Sequence, residues 1–497
     1  MSVTQPTTRS SGLAIEANGI NVIDESERKG TPSQLFWPWC ASNVSVLAVS
    51  YGAFVLGFGL SLLQALVAAV LGAVLSFLLV GLVSVAGKRG SAPTLVLSRA
   101  AFGRFGNTLP GAVSYLLLVG WETVLVSLAT FATATVFGRL GWGDGDLTKV
   151  LAFVVVAAVI VAAGILGFEA IMALQKWLTV AMVVVTLLYI ALTFDHVDLD
   201  AAGALPAGSL SALVGATVLV MTGFGVGWVN SAADYSRYLP RTASTPGVVA
   251  WPTLGGSLPV VILVAYGVLL CASDEKLAAA VGLDPIGALT TILPTWFLVP
   301  FALVALGGLV SGAVLDIYSS GLTLLTLGLR TPRWVAAALD GVLMILGTLY
   351  IVWVADSFLG IFMAFLIILG VPMAAWCGIF LADLMLRRRD YDEHKLFDHS
   401  KAGYGSVNVV SVVLMAVAAV VGWGLVIDTT GAGKGLSWLG FLLGPLGLGG
   451  RDGGWAYANL GVPVALAVGF VGYVVTQAGA VRRQESAAEA PQPVATR

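Results

Sequence analysis

Long apolar runs recur along the whole sequence. A helix that crosses a bilayer needs about 20 mostly apolar residues, so these runs limit what the chain can fold into. Twelve runs qualify, over residues 36–61, 63–86, 109–137, 149–168, 171–193, 211–235, 249–271, 296–325, 334–354, 357–385, 406–427 and 455–479. Only 10% of the residues are charged, against about 25% in soluble domains. The pattern predicts an all-α integral membrane protein with twelve transmembrane helices.

The Lys and Arg residues predict how these helices are oriented. With both termini in the cytoplasm, 20 of the 25 Lys and Arg residues fall on the cytoplasmic side, where positive charge is usually enriched. We therefore expect a multi-pass protein of the plasma membrane with both termini cytoplasmic. Its predicted parts are a cytoplasmic segment 1–35, a ten-helix transport core 36–385, a cytoplasmic connector 386–405, two additional helices 406–480 and a cytoplasmic tail 481–497. Short helices are expected on the outer face between the seventh and eighth spans.

Several classes of partner are disfavoured. The net charge is −2, and no basic surface indicates nucleic acid. Cys40, Cys271 and Cys377 lie far apart, in or beside apolar runs, which is typical of packing and not of metal or redox sites. We therefore expect no metal and no cofactor, with the lipid bilayer as the surrounding partner. The oligomeric state stays open.

The sixth span contains an unusual cluster of glycines. Leu219–Pro240 has the sequence LVMTGFGVGWVNSAADYSRYLP, with Gly223, Gly225 and Gly227 two residues apart. Each glycine costs about 1 kcal/mol inside a helix, so the cluster predicts local unwinding. Small-residue packing between helices is the alternative. A spacing of two disfavours packing, because it directs the glycines to different faces.

A second interruption is predicted in the first span. There the stretch SYGAFVLGFGLS begins at Ser50 and includes Gly52, Gly57 and Gly59. The two interrupted spans are five helices apart, and a repeat of five helices returns with inverted topology. Paired broken helices of this kind are typical of transporters that bind substrate near the middle of the membrane.

The motifs also resemble a known family. GFGVGW followed by AADYSRY, together with FWPW at the start of span one, GW in span three and DIYS in span eight, is similar to nucleobase:cation symporter family 1, of the purine-cytosine permease type. The resemblance implies a five-plus-five inverted repeat (LeuT-like) plus two C-terminal helices. It also implies uptake of purine or pyrimidine bases with sodium or protons, by movement of spans one, two, six and seven against spans three, four, eight and nine.

The resemblance further implies that a planar base lies between Trp121 and Trp228. Such rings gain about 1 to 3 kcal/mol from each stacking aromatic. Glu122 is expected to accept hydrogen bonds from the substrate's N–H groups, as carboxylates do with paired donors. Backbone groups near Phe224 and Gly225 are expected to provide the remaining partners.

Further polar residues complete the predicted site. Ser50 is assigned to substrate binding, and Asp316 to substrate or proton binding. Ser311, Asp316 and Glu122 are the candidates for cation coupling. Ser311 is flanked by Val310 and Gly312, whereas sodium-dependent members of the family have neighbouring hydroxyl groups in this span. This difference favours protons over sodium as the coupling cation.

Other buried charges are expected to have structural roles. Asp234 and Arg237 stand one helical turn apart at the cytoplasmic end of span six, so we expect them to pair as a structural or gating clamp. Asp340 is expected to make a structural hydrogen bond. The histidines fall in predicted loops, so none is expected to relay protons within the membrane.

The sequence thus predicts a secondary active transporter for cytosine, a purine or a similar heterocycle. Hydroxymethylpyrimidine, allantoin or another hydantoin, and a vitamin precursor are alternative substrates for the same architecture. An amino acid is disfavoured by the two tryptophans. An enzyme is disfavoured because no motif such as HExxH occurs, and a channel because no polar lining repeats along one helix face.

Overall fold

The computed structural model describes residue 16 and residues 18–355, 358–398, 403–428 and 436–487. Within these ranges the regular structure is helical, because helices satisfy their own backbone hydrogen bonds in lipid. Ten of the described helices are long and apolar enough to cross a membrane, or eleven when one bent pair is counted as a single span. Residues 1–15 of the predicted N-terminal segment and residues 488–497 of the predicted tail lie outside the described residues.

The helices follow the predicted order, and we keep the span numbers. Their bounds are Phe36–Asn43 with Val46–Leu56 (one), Leu62–Gly90 (two), Thr108–Arg139 (three), Asp146–Leu166 (four), Phe168–Thr193 (five), Leu210–Ser236 with internal breaks (six), Thr245–Ser273 (seven), Leu298–Thr326 (eight), Arg333–Trp353 (nine), Phe358–Leu386 (ten), Val409–Trp423 (eleven) and Gly461–Ala487 (twelve). The eleventh helix has only 15 residues, and the twelfth continues beyond the predicted end at 479. The short helices expected between spans seven and eight are present as Glu275–Leu283 and Gly287–Thr290.

The interruption of span one does not lie where the glycines predicted it. The two halves of the span meet at Val44 and Ser45 and are bent by 66°. Ser45 begins the second half as its N-cap, because its hydroxyl accepts a hydrogen bond from Leu47 N at 3.3 Å. Ser50 and Gly52 lie inside the continuous helix Val46–Leu56. The predicted break at these residues is therefore wrong.

Gly52 has a packing role instead. A Cβ atom at this position would lie 2.1 Å from the backbone carbonyl carbon of Gly267 in span seven. A Cβ atom at Gly267 would lie 1.9 Å from the carbonyl oxygen of Val49. Spans one and seven therefore touch backbone to backbone, and side chains larger than hydrogen would separate them.

The helices form two packed groups. Span seven packs along spans one and two, and span six packs along span two and touches span one. Spans three, four, eight and nine all contact one another. Spans ten and twelve pack together beside them, and span five contacts spans one and eight. Large apolar side chains remain exposed around the outside, including Leu63, Val155, Leu187 and Val475. Their exposure is expected where lipid replaces water as the surrounding medium.

Two membrane faces can be defined from the structure. The inner face has residues 18–35 and the connector around Glu393–Phe397, which meet where Arg241 forms ion pairs with Glu25 and Glu393. The outer face has the short helices Glu275–Leu283 and Gly287–Thr290.

Candidate functional site

The helix of span six is interrupted at Phe224. This residue has φ −127° and ψ −101°, outside the helical range. The helix Leu210–Gly223 ends before it, a single turn Gly225–Trp228 follows, and the 3₁₀ turn Val229–Ser231 comes next. The predicted break in this span is therefore confirmed.

The three glycines of the break also allow close packing. A Cβ atom at Gly223 would lie 2.0 Å from the hydroxyl oxygen of Tyr51 in span one. One at Gly225 would lie 2.4 Å from the backbone of span two, and one at Gly227 would lie 3.0 Å from Nε1 of Trp121 in span three. Because residues two apart face different directions, each glycine receives a different neighbouring helix. The packing role that the spacing disfavoured is thus present together with the unwinding.

Trp121 and Trp228 both lie at this junction. Their exposed fractions are only 8% and 9%. Trp121 packs edge to face against Phe362 of span ten, with ring centroids 5.5 Å apart. Trp228 packs in the same way against Trp39 of span one, at 5.6 Å. The structure therefore brings the two predicted tryptophans to the broken part of span six, on an aromatic framework.

Two buried donors at this junction lack partners. Among the described residues, neither Nε1 of Trp121 nor the hydroxyl of Tyr51 has a hydrogen-bond partner. The Tyr51 ring packs against Phe224, with centroids 4.6 Å apart. A cavity of about 550 Å³ approaches from the outer face and is lined at its inner part by Leu219 and Thr222. A polar, planar ligand at the break would satisfy donors that are otherwise costly to bury.

The Ser50 hydroxyl is used elsewhere. It donates a hydrogen bond to the backbone carbonyl of Pro285, in the segment between the two short outer helices. The outer segment therefore reaches down to the middle of span one at this point. Among the described residues, the hydrogen-bond partners of the Ser50 hydroxyl are the carbonyls of Val46 and Pro285, and neither is a tryptophan.

The carboxyl group of Glu122 lies against spans eight and nine. Its Oε1 accepts a hydrogen bond from the Ser320 hydroxyl of span eight at 2.9 Å. Ser320 also bonds to the carboxyl group of Asp340 in span nine. Asp316 lies one turn before Ser320 and is close enough to interact electrostatically with both acids. All three acids are buried.

This group, which we call the carboxyl cluster, consists of Glu122, Asp316, Ser320 and Asp340. The sequence singled out Glu122 and Asp316, but it did not predict that Ser320 would join Glu122 to Asp340. Asp340 does make the expected hydrogen bond, yet its partner is shared with a second acid. The sequence did contain one indication of this cluster: spans three, eight and nine each carry an acid, and the resemblance places these spans in one group.

The oxygens of Ser311 are engaged by a glutamine. The Ser311 hydroxyl donates to Oε1 of Gln175 in span five at 2.5 Å, and Nε2 of Gln175 donates to the Ser311 carbonyl at 3.0 Å. One turn before Ser311, span eight is in close contact with the bend of span one. A Cβ atom at Gly308 would lie 2.7 Å from the Val44 carbonyl oxygen. A cation bound at Ser311 would therefore have to displace the Gln175 amide.

Asp234 and Arg237 do not pair with each other. Oδ1 of Asp234 accepts hydrogen bonds from the backbone N and the hydroxyl of Thr94, at 2.7 and 2.8 Å. The Arg237 guanidinium instead turns towards Glu16, at 3.4 Å. The predicted pair is wrong because each side chain finds a partner from another element at the inner face.

Glu16 gathers an unexpected group at the inner face. Its Oε1 accepts hydrogen bonds from the hydroxyls of Tyr238 and Tyr318, at 2.5 and 3.2 Å. It also forms ion pairs with Arg237 and Arg333, both at 3.4 Å. We call this group the inner latch. Because it joins the end of span six to spans eight and nine, it connects the two packed groups of helices.

Comparisons with known proteins agree with this architecture. The family described as permeases for cytosine/purines, uracil, thiamine and allantoin matches residues 22–478. The chain belongs to this family. The chain is therefore a transporter and not an enzyme. The candidate purine-cytosine permease YxlA of Bacillus subtilis is 23% identical over 419 residues, which cover 82% of this chain and 87% of that protein.

Solved structures show the same fold in this permease family and beyond it. Mhp1, described as a nucleobase-cation-symport-1 family transporter in a closed conformation with bromovinylhydantoin bound, is similar with a TM-score of 0.69 at 18% identity, over 96% of both chains. A Na⁺-coupled sialic acid symporter is similar with a TM-score of 0.59 at 10% identity, over 92% of this chain and 91% of that one. These likenesses show the fold of a multi-pass membrane transporter.

Proposed function

We propose that the chain is a secondary active transporter that imports a nucleobase-like heterocycle, such as cytosine or a purine, together with a cation. The observation that carries the substrate class is the pair Trp121 and Trp228 at the break of span six, beside buried donors without partners. A flat heterocycle can stack on an indole and accept hydrogen bonds at its ring edge. Membership in the permease family supports the same substrate class.

Alternating access follows from the two packed groups. In the proposed mechanism, spans one, two, six and seven move against spans three, four, eight and nine around the central site. Access from the outer face passes through the 550 Å³ cavity, while the inner latch keeps the inner path shut. We propose that the inner face is cytoplasmic and that twelve helices, arranged as a five-plus-five inverted repeat with two more, form the complete transporter.

The carboxyl cluster supports a proton as the coupling cation. A hydroxyl group can donate only one hydrogen bond, yet Ser320 lies within hydrogen-bonding distance of carboxyl oxygens of both Glu122 and Asp340. When both contacts are hydrogen bonds, one of the two acids is the donor and carries a proton. Two charged carboxylates joined by one buried hydroxyl would repel each other strongly. We propose that this shared proton enters and leaves during transport, with Asp316 as its neighbour.

Sodium is the less favoured cation. The hydroxyl and the carbonyl of Ser311 already bond to the Gln175 amide, so sodium would have to break two hydrogen bonds to bind there. A proton at the carboxyl cluster requires no such displacement.

A second set of substrates keeps the same mechanism. Hydantoins, allantoin, hydroxymethylpyrimidine and vitamin precursors are also small planar rings with donors and acceptors at their edges. Mhp1 is described with bromovinylhydantoin bound, and the family description includes thiamine and allantoin. Rings of these kinds therefore belong among the substrates to be tested.

Uptake into proteoliposomes tests the proposal. Radiolabelled cytosine, adenine, uracil, hydantoin and allantoin would be supplied under a proton gradient or a sodium gradient, applied separately. We expect saturable uptake of one ring class driven by the proton gradient, and its loss in Glu122→Gln and Asp340→Asn. Asp146→Asn, which changes an exposed acid at the outer end of span four, is the matched control. Failure to transport any ring would refute the substrate class, and uptake driven by sodium alone would refute proton coupling.

A further inference from the structure

A second cavity opens at the inner face, well away from the proposed substrate site. It has a volume of about 680 Å³. Its walls are residues 19–21 of the N-terminal segment, the short helix Arg99–Phe102, the start of span three and the loop 325–333. Neither Trp121 nor Trp228 lines it, and it shares Arg333 with the inner latch.

The cavity has a strongly positive lining. Four arginines contribute to it, namely Arg99, Arg104, Arg330 and Arg333, and the described lining residues include no Asp or Glu. Arg333 is balanced by its ion pair with Glu16. Arg99 and Arg330 bring further positive charge to the lining, which makes the cavity attractive to an anion.

Arg99 gives the strongest indication that the cavity binds an anion. It is only 3% exposed, and its guanidinium donates to the backbone carbonyls of Thr326 and Leu396 at 3.2 and 3.3 Å. Within the described chain its Nε has no hydrogen-bond partner, and no carboxylate forms an ion pair with it. Burial, and secondarily the charge of Arg104, lowers the pKa of Arg99 to about 10. A buried cation with neutral partners only is costly unless an anion accompanies it.

Apolar residues at the rim indicate where the anion comes from. Phe105 and Leu329 both line the cavity, and their side chains are 62% and 37% exposed. Exposed apolar groups beside arginines are typical of the boundary between lipid tails and headgroups. We propose that this cavity binds a phosphate group, supplied by the headgroup of an anionic phospholipid in the inner leaflet. The acyl chains would lie along Phe105 and Leu329.

The proposal is tested by the thermal stability of the full chain in detergent, without reference to transport. A ligand that binds the folded state raises the unfolding temperature. We expect phosphatidylglycerol and cardiolipin to raise it more than phosphatidylcholine with the same acyl chains. Inorganic phosphate, added in a separate arm, distinguishes the sources. A rise with phosphate alone would keep the phosphate site but replace the lipid by a soluble phosphate compound.

Variants identify the cavity as the place of binding. Arg330→Gln removes an exposed arginine of the lining and is not expected to disturb folding, whereas Arg99→Gln removes the buried one. Losing one arginine should weaken lipid binding roughly tenfold. Arg482→Gln, an exposed arginine of span twelve outside the cavity, is the matched control. Equal stabilisation by all lipids, or an unchanged response in Arg330→Gln and Arg99→Gln, would overturn the proposal. Because the readout is lipid binding, this result is independent of the outcome of the uptake experiment.

Discussion

The inner latch leads to a quantitative prediction about the conformational balance. Among the described residues, Glu16 is the acid that forms ion pairs with both Arg237 and Arg333, between the two packed groups. Replacing it by alanine removes the acceptor of two tyrosine hydroxyls at the same time. Glu16→Ala should therefore destabilise the state in which the inner path is closed. The contacts of Glu16 lie at the inner face, so the replacement should not affect the outer path directly.

The size of the effect follows from the burial of the latch. The exposed fractions of the side chains are 11% for Glu16, 0% for Arg237 and 1% for Arg333, so solvent screening is weak. Removing one partner of a buried ion pair costs about 3–5 kcal/mol. Since about 1.4 kcal/mol corresponds to a factor of ten, the ratio of inner-open to inner-closed molecules should rise by roughly 10² to 4 × 10³.

Labelling of an introduced cysteine measures this ratio. Asn230 lies in the turn that follows the break of span six, on the side of the inner face, and is 1% exposed. Asn230→Cys should therefore react slowly with a water-soluble maleimide while the inner path is closed. Adding Glu16→Ala should increase the labelling rate about a hundredfold or more, up to the limit of a fully exposed thiol. The native cysteines are buried, and the protein without Asn230→Cys measures their background.

Glu27→Ala is the matched control. Glu27 belongs to the same N-terminal segment, is exposed, and accepts a hydrogen bond from Asn18. Its removal should leave the labelling rate unchanged. If Glu16→Ala and Glu27→Ala label at the same slow rate, the latch does not hold the inner path closed and the argument from burial fails.

Three further results are expected for the central site and the carboxyl cluster. Gly227→Ala places a methyl group 3.0 Å from Nε1 of Trp121, and overpacking of about 1–3 kcal/mol should raise KM for uptake by about 5- to 150-fold. Gly282→Ala, whose Cβ would meet open space, should leave KM unchanged. Trp228→Leu removes one stacking face, so KM should rise about 5- to 150-fold at unchanged protein level in the membrane, and an unchanged KM would exclude stacking there. Asp340→Asn should abolish accumulation driven by a proton gradient while exchange of labelled for unlabelled substrate continues, and accumulation at the wild-type level would remove Asp340 from coupling.

Span six shows how well helix breaks can be predicted from local sequence. Three glycines two apart weaken the helix wherever the segment lies, and the chain is interrupted at Phe224 as predicted. Gly52 shows the limit of the same argument. It also stands in an apolar span, but the helix runs through it because Gly267 of span seven packs against its backbone. A glycine that breaks a helix and one that admits a neighbour have the same local signature.

Four features follow from the sequence alone: the membrane class, the order of the long helices, the break in span six and the family. They do so because apolar length and motif order are properties of the chain. Which polar groups meet depends instead on the tertiary structure. Glu122 and Ser320 are separated by 198 residues, and Glu16 and Tyr318 by 302. Their contacts depend on how each helix is rotated about its axis and which helix lies beside it. Hydropathy cannot specify that rotation in a helix that is apolar on nearly every face, so the carboxyl cluster and the inner latch became visible only in the packed bundle.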